Sequence, residues 1–256
     1  MEGRALSVRV GIVSYLNALP LLGDLEDDPR LELKRLPPSS VSRELLAGEI
    51  DLGLVPSFTL LEAPEWTWLP GLAIAAEGRV DSVFLDLAPG FARRTARERV
   101  RLALDPHSRT SQVLSAIILQ ETFGIEAARL DREEVDPRQA LGDPRYDAVL
   151  LIGDLALREP ARPGWTRIDL AQAWLDLTGR PFVFAVWGLR RDLLARESWL
   201  PQRFAQALEA GRSRLFELAR DFGPFHGVDS ERALEYLSER IRYRMGVREE
   251  EGLRDF

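Results

Sequence analysis

Val8-Arg9-Val10-Gly11-Ile12-Val13-Ser14-Tyr15-Leu16-Asn17-Ala18-Leu19-Pro20 decides the fold. Residues 8–13 are a short, β-branched and almost unbroken apolar run. That is the pattern of a strand buried on both faces, as in a parallel sheet. A small hydroxyl, an aromatic, an amide and a proline then stand where the strand ends and a helix begins. In open α/β sheets, ligands bind beyond the carboxyl ends of the strands. Ser14, Tyr15 and Asn17 are therefore candidate binding residues. Asn17 has a second reading as the N-cap of the helix that Pro20 helps to start, since Asn is a favoured cap.

The same alternation continues outward. Leu31–Leu36 reads as a strand. Ser39 and Ser40 are N-cap candidates for a helix over 41–47, which Gly48 ends. Residues 49–57 form another buried strand, closing in Pro56 and Ser57 at the ligand-facing end, with a helix over 58–62. Strands follow over 72–76 and 82–87. Repeated strand-helix order with short connections predicts a parallel sheet wrapped by helices. A second unit starts near Pro89, with strands over 100–104, 127–130, 148–152 and 166–170. A long apolar helix runs through Phe123 to Gly124, and a helix over 171–178 is closed by Gly179. Phe182–Leu189 is a further strand, while 201–222 and 230–243 carry apolar residues at helical spacing. The pattern predicts two α/β lobes, residues 1–86 with 187–256 and residues 87–186, with a ligand cleft between them.

Composition sets bounds on function. A chain of 256 residues with 45% hydrophobic content is that of an ordinary globular protein with a large core. A net charge of -7 argues against nucleic acid as a partner. It leaves room for an anionic ligand, because a local cluster of Arg and amide donors can oppose the global sign. Cys is absent and His occurs only as His107 and His226, so no thiolate nucleophile, disulfide framework or multi-His metal site is expected. No cofactor is expected. Met1-Glu2-Gly3-Arg4-Ala5 has no secretory h-region, and no stretch reaches membrane-span length, so a cytoplasmic location without a membrane partner is expected. The sequence leaves oligomeric state open.

Three further places can carry chemistry. Ser108-Arg109-Thr110-Ser111 opens the long helix, where backbone N–H groups, the helix dipole, hydroxyls and a guanidinium suit a carboxylate. The plainer reading is a Ser or Thr cap beside a solvated Arg. Ser82 starts a strand after the Gly-containing turn 77–81. It reads either as a ligand donor or proton carrier, or as a turn serine. Asp154 follows Leu151-Ile152-Gly153 at a strand end. It reads as a hydroxyl partner, as a positioner of Arg109, or as the cap of a helix over 155–158. Trp174, Phe182, Phe184 and Trp187 read mainly as core.

The ordered set of these segments resembles a known family. Tyr15-Leu16-Asn17 with Pro20, Gly48–Pro56, Ser108–Ser111, Leu151–Asp154 and Phe182–Trp187 occur in the same order in the chorismate dehydratases of the futalosine route to menaquinone. Ile241-Arg242-Tyr243 and Glu251–Phe256 are similar to that family's tail. The resemblance spans essentially the whole chain. It implies a periplasmic-binding-protein-like fold of the second type used as an enzyme, a carbon-oxygen lyase. The implied substrate is chorismate, a dicarboxylate that loses water to give 3-[(1-carboxyvinyl)oxy]benzoate. The family's essential amide matches Asn17 and its active-site serine matches Ser82. The remaining candidates (Ser14, Tyr15, Pro56, Ser57, Ser108, Arg109, Thr110, Ser111 and Asp154) would then bind substrate. Relatives often carry Ser where this chain has Asp86-Leu87, and Pro106-His107 is unusual, so the resemblance assigns no role to those positions.

Other readings share parts of this pattern. A sister enzyme of the same route, 1,4-dihydroxy-6-naphthoate synthase, has a Pro-Asn-Asp-type sequence after the first strand, against Tyr15-Leu16-Asn17 here. A non-catalytic solute-binding protein for a small carboxylate needs export or an anchor. The effector domain of a transcription regulator needs a DNA-binding region.

Overall fold

The computed structural model describes residues 7–61, 65–93 and 98–256, without the side chains of Pro38 and Ser39. Glu62, the expected end of the helix after Ser57, and the Met1–Ala5 leader reading lie outside the described residues. The strands run, in chain order, β1 (Val8–Ile12), β2 (Leu31–Arg35), β3 (Leu52–Pro56), β4 (Trp66–Ala76), β5 (Val83–Leu87), β6 (Val100–Leu104), β7 (Leu130–Glu134), β8 (Ala148–Ile152), β9 (Thr166–Asp169), β10 (Phe182–Arg190) and β11 (Arg242–Arg244). They build two sheets, ordered β11-β4-β10-β3-β1-β2 and β7-β6-β8-β5-β9.

The chain divides into two compact units. One holds the residues up to Ala75 together with Val183–Val247, and the other holds Ala76–Phe182 with Arg248–Phe256. The expected boundary at 86/87 is thus displaced. β5 pairs antiparallel with both β8 and β9, so its ladder hydrogen bonds put it in the second sheet. The last residues also belong to the second unit, where Phe256 meets the ring of Phe182 edge-on at 5.0 Å between centroids.

In the first unit β1 lies between β2 and β3, parallel to both. Val10, Ile12, Leu52 and Leu54 are buried, as continuous apolar strands of a covered sheet must be. The purely parallel expectation fails at β10, which runs antiparallel to β3. Strand direction is set by where the chain returns from, which local apolar runs do not encode. The helix Pro38–Leu46 begins before both serine candidates, with Pro38 in its first turn. Ser40 therefore lies inside the helix, and the Ser39 side chain is outside the described residues.

The helix Leu19–Leu22 packs on the helix Leu200–Ser213. A Cβ on Gly211 would fall 2.0 Å from the carbonyl oxygen of Pro20, so only glycine permits this approach. That contact seats the segment that carries Asn17. Residues 230–243 are not helical throughout. The helix Ser230–Glu235 passes into a π-helical turn over Tyr236–Arg240, and Arg242–Arg244 is a strand whose middle residue alone is buried. Three residues are too few for a period of 2 to stand out against 3.6.

The second sheet is also mixed, with β7, β6 and β8 parallel and β5 antiparallel to β8. The helix Arg109–Phe123 follows β6 and ends at Gly124, whose φ of 68° is left-handed. The segment 127–129 is a 3-10 turn, and its strand starts only at Leu130. Trp174, Phe182 and Trp187 are buried as expected, and Phe184 is half-buried. Among the described residues no helix is long and apolar enough to cross a membrane.

Candidate functional site

Each unit gathers its candidate residues at one edge of its sheet, and topology explains why. In the first unit β1 and β3 are parallel neighbours, so their carboxyl ends emerge together. Ser14, Tyr15 and Asn17 follow one, and Pro56 and Ser57 end the other. Ser14 is exposed, while Tyr15, Asn17 and Pro56 are half-buried. Ser57 is buried and already engaged. Its hydroxyl donates to the Val183 carbonyl at 2.7 Å and its N–H to the Phe184 carbonyl at 3.0 Å. These bonds fasten the start of β10 to the end of β3.

Asn17 is not a helix cap. It sits inside a 3-10 turn, Leu16–Ala18, and neither that turn nor the helix after it has a side-chain cap bond. Its amide instead donates from Nδ2 to the hydroxyl oxygen of Tyr236 at 3.0 Å. The other amide atom, Oδ1, is buried and has no hydrogen-bond partner. A buried acceptor without a donor costs roughly 1–3 kcal/mol. Each such atom calls for an explanation, and a donor from a ligand or a water is one.

In the second unit β6 and β8 are parallel, while β5 runs against β8 with Val83 opposite Ile152. The start of β5 and the ends of β6 and β8 therefore share one edge. Ser82 precedes β5, Ser108–Ser111 follow β6, and Asp154 follows β8. The N–H of Gly153 donates to the Ser82 carbonyl at 2.7 Å, locking two of these segments together. Gly153 does so at a φ of 60°, a left-handed conformation that glycine adopts without cost.

The start of the long helix carries out its plainer role. Ser108 is the N-cap, its Oγ accepting from the Ser111 N–H at 3.2 Å and donating to the Ser111 hydroxyl at 2.9 Å. The protein thus satisfies one of the amides that a carboxylate was expected to use. Thr110 and Ser111 are buried and Arg109 is exposed. The turn before the helix is held by Asp105, whose carboxylate accepts from the His107 N–H at 2.8 Å. Burial pushes the Asp105 carboxyl above the usual carboxylate range. The His107 residue is exposed. Asp154 is not a cap either. The helix Gly153–Arg158 is flanked by Ile152 at that position, and Asp154 is an acid in its first turn, the end that favours negative charge.

Two supporting residues escaped sequence reasoning. Asp169 is buried, and its Oδ2 accepts from the N–H groups of Val80 and Asp81 at 3.0 and 2.8 Å. Its Oδ1 accepts from Ala171 and Gln172 at 3.0 and 3.1 Å, capping the helix Leu170–Thr178. One carboxylate thus shapes the turn leading to Ser82. Burial pushes it up, and the amide donors pull it down less strongly. Asp169-Leu170-Ala171-Gln172 has the spacing of a capping box, which was the available signal. Asp86, to which the resemblance assigns no role, is fully buried and pairs with Arg167 through two bonds of 2.7 and 2.8 Å. Arg167 also donates to the Glu159 and Pro160 carbonyls, so Asp86 belongs to a structural ion pair.

Comparison with known proteins gives three consistent findings. The family model described as menaquinone biosynthesis matches residues 8–256. Among curated relatives, a chorismate dehydratase of Thermus thermophilus is 33% identical over 230 residues, 82% of this chain and 79% of that protein. A chorismate dehydratase of Campylobacter jejuni is 24% identical over 254 residues, 96% of this chain and 94% of that protein. Among solved structures, the periplasmic aliphatic sulphonate binding protein SsuA of Escherichia coli matches with a TM-score of 0.65 at 14% identity. It covers 94% of this chain and 85% of that one, a likeness of fold alone. The fold is periplasmic-binding-protein-like.

Proposed function

The chain belongs to the menaquinone biosynthesis family, and we propose that it is a chorismate dehydratase of the futalosine route, a hydro-lyase. The observation that carries the reading is the orphaned Asn17 Oδ1. Chorismate as a dianion offers two carboxylates, which only accept hydrogen bonds, and one hydroxyl, which donates. A buried amide oxygen lacking a donor matches the hydroxyl, which is the group that leaves.

The chemistry needs positioning more than a strong base. The ring C–H bond beside the diene breaks, and its electron pair delocalises toward the ring carboxylate. The carbon–hydroxyl bond then breaks, the new double bond completes an aromatic ring, and the proton leaves with the hydroxyl as water. In this reading the substrate's enolpyruvyl carboxylate takes the proton and passes it on. Asn17 orients the leaving hydroxyl, and Ser82 donates to the reacting end of the substrate. Ser108, Arg109 and Thr110 supply donors for a carboxylate, with Ser111 acting through its bond to Ser108. Ser14, Tyr15, Pro56 and Asp154 stand at the strand ends and bind substrate, and Ser57, buried and bonded to β10, supports that end of β3 instead. Product aromaticity drives the reaction, so charge stabilisation and orientation suffice.

The test is incubation of purified protein with chorismate while following the diene absorbance. Catalytic loss of that absorbance supports the reading. No turnover, together with tight binding of another small carboxylate, would move the protein to the solute-binding class.

A further inference from the structure

We propose that Tyr236 is a positioning residue that anchors the Asn17 side-chain amide for its contact with substrate. The inference rests on the role given to Asn17 above. An asparagine amide is a planar group with one acceptor oxygen and one donor nitrogen. With Nδ2 bonded to the Tyr236 hydroxyl oxygen at 3.0 Å, Oδ1 is the atom left open. Without that bond the amide end loses its anchor, and its contact with the leaving hydroxyl loses its fixed geometry.

The fold holds Tyr236 firmly for this purpose. It is buried, and it stands where the helix Ser230–Glu235 widens into the π-helical turn Tyr236–Arg240. The Ile241 N–H bonds the Tyr236 carbonyl at 3.2 Å, the five-residue step of a π turn. Such single turns recur at functional sites because they rotate one side chain out of helical register. The pair spans 219 positions of sequence and lies within one unit. Three residues after Asn17, the chain is seated by the close approach of Gly211 to the Pro20 carbonyl, so backbone packing and the phenol both hold this segment.

The experiment uses Tyr236→Phe, which keeps the ring and removes the hydroxyl. We expect kcat to fall about 10- to 100-fold, the scale of a small misplacement at a reacting centre, with KM little changed. The Tyr236→Phe effect should shrink markedly in an Asn17→Ala background, because the tyrosine acts through the amide. Wild-type kcat in Tyr236→Phe, or an equal loss in both backgrounds, overturns the proposal. A second measurement, by NMR, needs no substrate. In the unliganded protein, the Asn17 side-chain amide protons, assigned by their loss in Asn17→Ala, should exchange with solvent more slowly in wild type than in Tyr236→Phe. Equal exchange rates in the two proteins overturn the proposal. Failure of the wild type to turn over chorismate would instead sink the functional reading, and the NMR result would still decide the role of Tyr236.

Discussion

The backbone N–H of Gly153 donates a 2.7 Å hydrogen bond to the carbonyl oxygen of Ser82. It joins the end of one strand to the start of its antiparallel neighbour, so the backbone at Ser82 is fastened by a bond that its side chain does not make. Ser82→Ala should lower kcat more than it raises KM. A change in KM alone would make Ser82 a binding contact and remove it from the reacting centre.

Asn17→Asp replaces the amide with a carboxylate beside a dianionic substrate and removes the donor to Tyr236. Turnover should drop by at least about a hundredfold, the scale of losing a preorganised group in an active site. Circular dichroism should show an intact fold. Near-normal activity in this variant would leave Asn17 with a structural role only.

Arg109 is exposed at the first position of its helix, and the cap function belongs to Ser108. Arg109→Ala should accordingly leave unliganded melting unchanged while weakening chorismate and simple aromatic carboxylates such as 3-hydroxybenzoate. A charged hydrogen bond of this kind is worth roughly 1.5–3 kcal/mol, or about 10- to 150-fold in affinity. Calorimetric titration and melting on the same variant check it. Lower stability with unchanged affinity would contradict the assignment.

Asp86→Ala should show the opposite pattern. It strands the Arg167 guanidinium, whose side chain is only 14% exposed. Two carbonyl bonds to that arginine survive, so the cost belongs at the low end for a broken buried pair, about 3 kcal/mol. For a chain of this size that is about 6–12 °C in Tm. The KM for chorismate should stay near wild type.

Acid should weaken the first unit through Asp28. Its carboxyl is held well below its usual value of 3.8, chiefly by the hydrogen bond from the Arg30 guanidinium, against desolvation, with Arg203 adding a further bond. A depressed folded pKa contributes stability above the unfolded value and loses it as pH falls through and below that value. Melting measured from pH 6 down through about pH 4 and below should fall more steeply in wild type than in Asp28→Asn. The variant should start from a lower Tm at pH 6. Parallel curves would show that Asp28 is not the linked group.

Local signals made much of the fold legible. The apolar run before Ser14 is a central strand, Ser108 caps its helix, and Gly124 and Gly179 end theirs in left-handed conformations. Each of these is decided within a few residues. What escaped is decided by partners far along the chain. Asn17 reads as a cap or as a ligand contact because its partner lies 219 positions away, and Asp86 has no assigned role because its arginine lies 81 away. The direction of β5 and β10 likewise depends on how the chain returns to each sheet. The candidate residues themselves were readable as strand-end polar groups. Whether each caps, clamps or waits for a ligand was not, because that turns on which hydrogen-bonding atoms the fold has already used.

The most direct measurement is the mass of what purified protein makes from chorismate. The account predicts a single product lighter than chorismate by one water, with an aromatic absorbance, formed by wild type and at least about a hundredfold more slowly by Asn17→Asp. Unchanged chorismate after prolonged incubation with folded wild-type protein, or a product that retains the oxygen of the ring hydroxyl, would contradict it.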